Sequence, residues 1–293
     1  MGLKVQLLDG TYELFRQHFG APSEAREKPG NRAATRGVLN TVLRLLEDGA
    51  THVGVATDHV VESFRNDMWP GYKTSAGMPP ELLEQFPVVE DALRAMGVLV
   101  WAMVELEADD ALASAAVVAA GDPAVDQVVI HTPDKDLAQC VRAGKVVQFD
   151  KRNDRIIDVA GVVEKFGVEP ASIPDYLALV GDSADGFPGL TGWGAKSAGA
   201  VLARYRRLED IPVDGAWDLN VRGAARLAAT LAEQSDLAFL FRDLATLRVD
   251  TGLLPSVDDL RWIGAASGFD AVAKELGAPE LAERAATLAD KRT

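Results

Sequence analysis

The 293-residue sequence holds one cysteine, Cys140. That excludes an internal disulfide framework and any multi-cysteine zinc site. Its four histidines form no metal-ligand spacing; His131, closing an apolar run, reads as a core or turn residue, and Cys140 as a small buried one. Long apolar runs are missing too. The first twenty residues carry Lys4, Asp9, Glu13 and Arg16, so they hold no signal-peptide core. The longest uncharged apolar stretch, Ala111 to Gly121, is far too short to cross a bilayer. There is no internal repeat and no low-complexity linker. What remains is an ordinary globular balance, 48% hydrophobic and 25% charged, long enough for one large domain or two modest ones. The expectation is a protein of a reducing compartment, the cytoplasm, with no membrane partner. Positive charge is scarce as well. A formal charge of −14 points away from nucleic acid, unless the acids gather around divalent cations and leave the remaining surface less acidic.

The N-terminal half alternates short apolar runs with helical ones. Lys4 to Leu8, Val53 to Thr57, Val98 to Trp101, Gln127 to His131 and Val146 to Phe149 read as strands. Between them, Gly37 to Leu46 and Asp110 to Ala120 read as helices. Near-continuous apolar strands alternating with helices predict an α/β fold, a mostly parallel central sheet flanked by helices. After about residue 160 the strand signal fades. Ala171 to Val180, Ala195 to Arg207, Arg222 to Ala232, Ser235 to Leu247 and the Ala-rich stretch Phe269 to Asp290 read as helices. The expected plan is an α/β domain over 1–165 and an α-helical domain over 166–293.

Function in open α/β sheets collects at the carboxyl ends of the strands. Asp9, Asp58 and Asp134 fall at or just after strand ends, with Asp136 two residues on. Glu107, Asp109 and Asp110 stand where a helix begins and its dipole favours negative charge. Asp182 and Asp185, three apart around a helix end, can share a face. Taken singly, each acid is more often a cap or a solvated turn than a ligand. Taken together, removing these nine takes the formal charge from −14 to −5. So many carboxylates cannot share a small volume without cations. An all-oxygen donor set suits Mg²⁺ or Mn²⁺ and not zinc. Two such ions about 4 Å apart are a known arrangement for in-line attack at a phosphodiester.

These segments resemble the 5′-nuclease family: the 5′→3′ exonuclease domain of bacterial DNA polymerase I, its stand-alone bacterial and phage relatives, and the flap endonucleases. The resemblance rests on Leu8-Asp9-Gly10, on Asp58 followed by Ser63-Phe64-Arg65 and Gly71-Tyr72-Lys73, and on Glu107-Ala108-Asp109-Asp110. It continues in Asp134-Lys135-Asp136-Leu137, Gly181-Asp182-Ser183-Ala184-Asp185, Pro188-Gly189 and Gly192-Trp193-Gly194-Ala195-Lys196-Ser197-Ala198. It spans roughly residues 5 to 255 in family order and implies a PIN-like nuclease core in a stand-alone member. A first metal group would be Asp9, Asp58, Glu107 and Asp109; a second would be Asp134, Asp136, Asp182 and Asp185, with Asp110 near both. The ions implied are two or more Mg²⁺ or Mn²⁺. Lys73 and Arg65 match basic residues that reach the scissile phosphate from a helical arch, about 65–95 here. Phe15 sits where relatives stack an aromatic on a base, and Tyr72 is a second stacking candidate; by spacing alone both read as core. Gly192 and Gly194, with Lys196 and Ser197, resemble the family's helix–three-turn–helix, about 175–207, whose backbone N–H groups bind a duplex phosphate beside a K⁺ held by loop carbonyls. Lys196, Arg204, Arg206 and Arg207 would add a basic patch.

Two departures stand out. Gly186 follows the second aspartate of the Gly-Asp-x-x-Asp segment where relatives often carry Asn, and the stretch from Lys73 to Val88 is short and holds Pro79, Pro80 and Pro87. The implied function is removal of flaps or RNA primers from DNA with 5′ ends, flaps or nicks, by a monomer. Two other readings compete: a non-catalytic structure-specific DNA-binding protein, against which the full set of acids counts, and a PIN-like ribonuclease, which lacks a long helical domain with a Gly-x-Gly turn.

Overall fold

The computed structural model describes residues 2–22 and 30–292. They form two compact units. The first comprises Met1–Val61, Ser75–Thr132 and Val249–Thr293; the second comprises Glu62–Thr74 and Pro133–Arg248.

In the first unit four strands, β1 (Leu3–Asp9), β2 (His52–Asp58), β3 (Leu99–Met103) and β4 (Val125–His131), lie in the order β3-β2-β1-β4. All three pairings are parallel. This is the expected sheet, and β2 is buried along its whole length, as an apolar strand covered on both faces must be. Helices α1 (Gly10–Gly20) and α2 (Ala33–Glu47) follow β1. Gly10 lets α1 start directly off the strand: a Cβ there would sit 2.7 Å from Val55 Cγ1 and 2.8 Å from the Ala56 carbonyl oxygen. One core joins Leu8, Val53 and Val55 of the sheet to Val38, Leu39, Val42, Leu43 and Leu46 of α2.

Two sequence expectations shift here. About a third of the stretch expected as an arch, about 65–95, is a helix, Gln85–Ala95, whose Phe86, Val89, Ala92 and Leu93 lie in the sheet's core. The C-terminal residues also belong to this unit. The buried Trp262 indole donates to the Met96 carbonyl at 2.8 Å, and Trp101 donates to the Leu253 carbonyl at 2.7 Å. The single helix expected over 269–290 is two, Phe269–Glu275 and Glu280–Asp290. Gly277, at φ +69°, and Pro279 break it.

The second unit carries a short antiparallel hairpin, Val146–Asp150 with Arg155–Ile157, and is otherwise helical. Its helices run over Phe64–Met68, Val159–Phe166, Ile173–Val180, Ala195–Tyr205, Ala224–Glu233 and Ser235–Ala245. They enclose a core that includes Ile173, Leu177, Phe187, Val201, Leu227 and Phe241. No helix among the described residues is long and apolar enough to span a membrane.

Candidate metal centre and phosphate turn

The first unit gathers acids at the carboxyl ends of β1 and β2 and at the start of the helix Ala108–Gly121. Asp9 ends β1 and caps α1: its Oδ1 accepts the Tyr12 N–H at 2.8 Å and its Oδ2 accepts the Thr132 hydroxyl at 2.9 Å. Asp58 ends β2; its Oδ1 accepts the Ala108 N–H at 2.7 Å, and its own N–H donates to Thr11 Oγ1 at 2.8 Å. The first turn of the 108–121 helix thus holds the Asp58 carboxylate against its orphan N–H groups. Glu107 caps that helix, donating its backbone N–H to Asp110 Oδ2 at 2.9 Å. Asp9, Asp58, Glu107 and Asp110 are buried, and Asp109 is half-buried. Among the described residues, no three acids of this group bring their oxygens within 4.8 Å of one another.

The second unit goes further. Carboxylate oxygens of Asp136, Asp182 and Asp185 all lie within 4.8 Å of one another, and all three residues are buried. Asp134, half-buried, accepts the Asp136 N–H through Oδ1 at 3.1 Å. Asp182 and Asp185 do not share a helical face, because the helix ends at Val180. They sit on a closed loop instead, where the Asp182 N–H donates to the Phe187 carbonyl at 2.9 Å. Gly181 and Gly189 hold its neck, at φ +80° and +71°. A Cβ on Gly181 would lie 2.4 Å from the Pro188 carbonyl carbon.

One oxygen in this group, Asp136 Oδ1, is buried with no hydrogen-bond partner among the described residues. Burial drives the Asp136 pKa well above the ordinary carboxylate range, and the charges of Asp185, Asp134 and Asp182 push it further. Two lysines counter the charge. Lys135 Nζ lies 2.5 Å from Asp182 Oδ2, and Lys73 Nζ lies 3.1 Å from Asp185 Oδ1. Lys73 is also fixed through its backbone, donating to the Asp185 carbonyl at 3.0 Å. Burial works against the Lys135 ammonium, but the bond to Asp182 and the charges of Asp182, Asp134 and Asp136 outweigh it and raise its pKa. Lys135 was not among the site residues expected from sequence; the signal was its place between two strand-end aspartates.

The other expected residues divide. Arg65 is buried: its Nε donates to the Leu244 carbonyl at 2.8 Å and one terminal nitrogen to the Thr246 carbonyl at 3.3 Å. Such a guanidinium ties the 64–68 helix to the 235–245 helix and is turned away from solvent, contrary to the phosphate role expected for it. Tyr72 is likewise enclosed, 3% exposed in the helical core. That leaves no ring face for a base. Phe15 is half-buried, with its ring centroid 6.0 Å from Phe19 and 6.4 Å from Phe86, packed on the sheet's core. Cys140 is half-exposed where burial was expected. His131 is buried and hydrogen-bonded to Gln6, as a core histidine.

The turn before the helix Ala195–Tyr205 is open. Gly192 takes φ +86°, Gly194 caps the helix, and Ser197 Oγ accepts the Gly194 N–H at 3.1 Å. Lys196 is exposed. A concavity of about 470 Å³ at this turn is also lined by Asn220 and Arg222, which sequence reasoning passed over. Arg204, expected in the same basic patch, is instead paired with Asp218 at 3.0 Å.

Residues 4–167 match the family model for the N-terminal resolvase-like domain of 5′–3′ exonucleases, and residues 168–267 match the model for their C-terminal SAM fold. The chain belongs to the 5′–3′ exonuclease family. It is 32% identical over 257 residues to the 5′–3′ exonuclease of Aquifex aeolicus, covering 87% of this chain and 85% of that one. It is 34% identical over 265 residues to DNA polymerase I of Pseudomonas aeruginosa, covering 87% of this chain and 28% of that one. The chain therefore spans about a quarter to a third of the polymerase relatives it matches. Among solved structures, the zinc-bound 5′-exonuclease of phage T5 superposes with a TM-score of 0.69 at 19% identity over 96% of this chain and 99% of that one. Flap endonuclease-1 of Methanococcus jannaschii superposes at 0.56, with 17% identity, over 100% of this chain and 94% of that one. At these identities the likeness is one of fold, and it matches an exonuclease-family core.

Proposed function

We propose that this chain is a divalent-metal-dependent 5′→3′ exonuclease and 5′-flap endonuclease, hydrolysing DNA phosphodiesters at 5′ ends, flaps and nicks. The observation that carries the reading is the buried, unpartnered Asp136 Oδ1 inside a three-carboxylate group. A buried charge with no partner is costly, and a hard cation with oxygen ligands removes that cost. Mg²⁺ or Mn²⁺ fits this donor set. Asp136, Asp182 and Asp185, with Asp134 beside them, would hold one ion. Asp9, Asp58, Glu107 and Asp109, together with Asp110, would serve a second. When bound, such ions supply Lewis-acid stabilisation of the phosphoryl oxygens and activation of water.

The chain's own residues do the rest. Lys73, held by its backbone bond to Asp185, offers an ammonium to the negative charge that builds on the phosphate in the transition state. The backbone N–H groups following Gly194, with Lys196 and Arg222, offer donors to a duplex phosphate away from the cut, and a K⁺ held by turn carbonyls belongs to the same reading. Arg65, Tyr72 and Phe15 are assigned to packing. The products are a 5′-phosphate and a 3′-hydroxyl, with no covalent intermediate, and the chain acts as a cytoplasmic monomer on flaps or RNA primers.

The test is cleavage of a 3′-labelled 5′-flap duplex, a nicked duplex and a single strand, each with Mn²⁺, Mg²⁺ or EDTA. Metal-dependent cutting near the flap junction or stepwise release at the nick supports the reading. Binding without cutting in either metal favours a non-catalytic DNA-binding protein and removes the catalytic assignments.

A further inference from the structure

Asp182 has both carboxylate oxygens engaged. Oδ1 accepts the Ala184 N–H at 2.9 Å, which closes the loop on itself, and Oδ2 accepts Lys135 Nζ at 2.5 Å. Only Oδ2 can turn to an ion without opening the loop, and it is the oxygen the lysine holds. Lys135 is flanked by Asp134 and Asp136, and its side chain is 39% exposed against 2% for that of Asp182. It therefore reaches a buried carboxylate from the solvent side and has open space to leave by. Asp136, 5% exposed, meanwhile keeps an oxygen with no partner in the same group.

We propose that Lys135 is a built-in place-holder for the divalent ion: its ammonium occupies Asp182 until metal binds, is displaced by it, and thereby sets the metal affinity of this site. The inference rests on the metal reading above and adds an exchange to it. An ammonium in contact with a ligand oxygen competes with a dication for that oxygen, and cannot remain in contact without strong like-charge repulsion. The displaced lysine then stands at the edge of the group as a free cation facing solvent, positioned for a phosphate oxygen of an incoming strand. Lys73 differs from Lys135 in making the longer contact, 3.1 Å to Asp185 Oδ1, and in lying outside the run Asp134-Lys135-Asp136.

The experiment uses the full chain without DNA and has two arms. Wild type is acetylated with a small acylating reagent while Mn²⁺ is titrated, and modification of each lysine is read by peptide mass spectrometry. Lys135 should become several-fold more reactive over the concentration range in which Mn²⁺ binds, as followed by electron paramagnetic resonance. Lys274, an exposed residue paired with Asp270, should not change. In the second arm Lys135→Met should bind Mn²⁺ about tenfold more tightly than wild type, and adding Asp182→Asn should abolish the gain. Mn²⁺ binding that leaves Lys135 reactivity unchanged overturns the place-holder, even if Lys135→Met fails to fold. Equal affinity of wild type and Lys135→Met overturns it as well. Absence of any Mn²⁺ binding to wild type sinks the metal reading itself, which is a separate result.

Discussion

Replacing Asp136 by Asn removes one charge from the second acidic group while keeping its shape. At separations up to 4.8 Å, an effective dielectric of 20 puts each carboxylate pair at about 3.5 kcal/mol of repulsion. When ionised, Asp136 faces two such partners, but each is paired with a lysine, at 2.5 Å for Asp182 and 3.1 Å for Asp185. That pairing offsets most of the repulsion and leaves roughly 1–2 kcal/mol of net strain in the metal-free chain. Asn also ends the isolation of the buried oxygen, since an amide donates to the neighbouring carboxylates. Asp136→Asn should therefore raise the melting temperature in EDTA by about 2–6 °C. Wild type should gain in Mn²⁺, by about 2.7 kcal/mol at a hundred times the dissociation constant, and the variant should gain far less. Differential scanning calorimetry in EDTA and in Mn²⁺ measures both. A variant less stable in EDTA that keeps the full Mn²⁺ gain would refute the picture of a strained, metal-seeking carboxylate.

Three further outcomes follow from particular contacts. Lys73→Ala should bind DNA as wild type does and cut about a hundredfold more slowly; equal single-turnover rates would remove Lys73 from the chemistry. Gly186 sits at φ +82°, where a Cβ would come within 2.0 Å of the Gly71 carbonyl oxygen, so Gly186→Ala should cost about 2 kcal/mol or more, and an unchanged urea midpoint would contradict the close approach. Burial depresses the His52 pKa, with Arg261 lowering it and Asp258 opposing both. The unfolded chain then binds the extra proton first, so this contribution is full above about pH 6.5 and is lost as pH falls through the lower folded value. His52→Gln should flatten that part of the urea-midpoint profile, and an identical slope in both proteins would contradict it.

The strands were legible in the sequence because parallel strands covered by helices read as plain apolar runs, most clearly Val53 to Thr57 in β2, which is buried along its whole length. The acids were legible for a related reason: an Asp directly after such a run stands at the strand's carboxyl end. Arg155–Ile157 escaped notice because it is three residues long with two of them exposed. Tertiary packing hid more. Nothing local tells Arg65 to turn inward to the Leu244 carbonyl, or Tyr72 to enter the helical core, because both depend on partners far along the chain. The same holds for residues 249–292, whose helical pattern says nothing about the Met96 and Thr51 carbonyls that hold Trp262. Gly186 stood out as a departure from its relatives, and the Gly71 carbonyl oxygen that a Cβ would meet at 2.0 Å explains why a side chain is excluded here.

The central claim, that these carboxylates run a metal-dependent phosphodiester hydrolysis, is tested most directly by single-turnover cleavage of a 3′-labelled 5′-flap duplex by wild type and Asp182→Asn in Mn²⁺ and in EDTA. Wild type should cut in Mn²⁺ and not in EDTA, leaving a 5′-phosphate on the product, and the variant should be slower by about a hundredfold or more. Cutting that persists in EDTA, or equal rates for the two proteins, would contradict it.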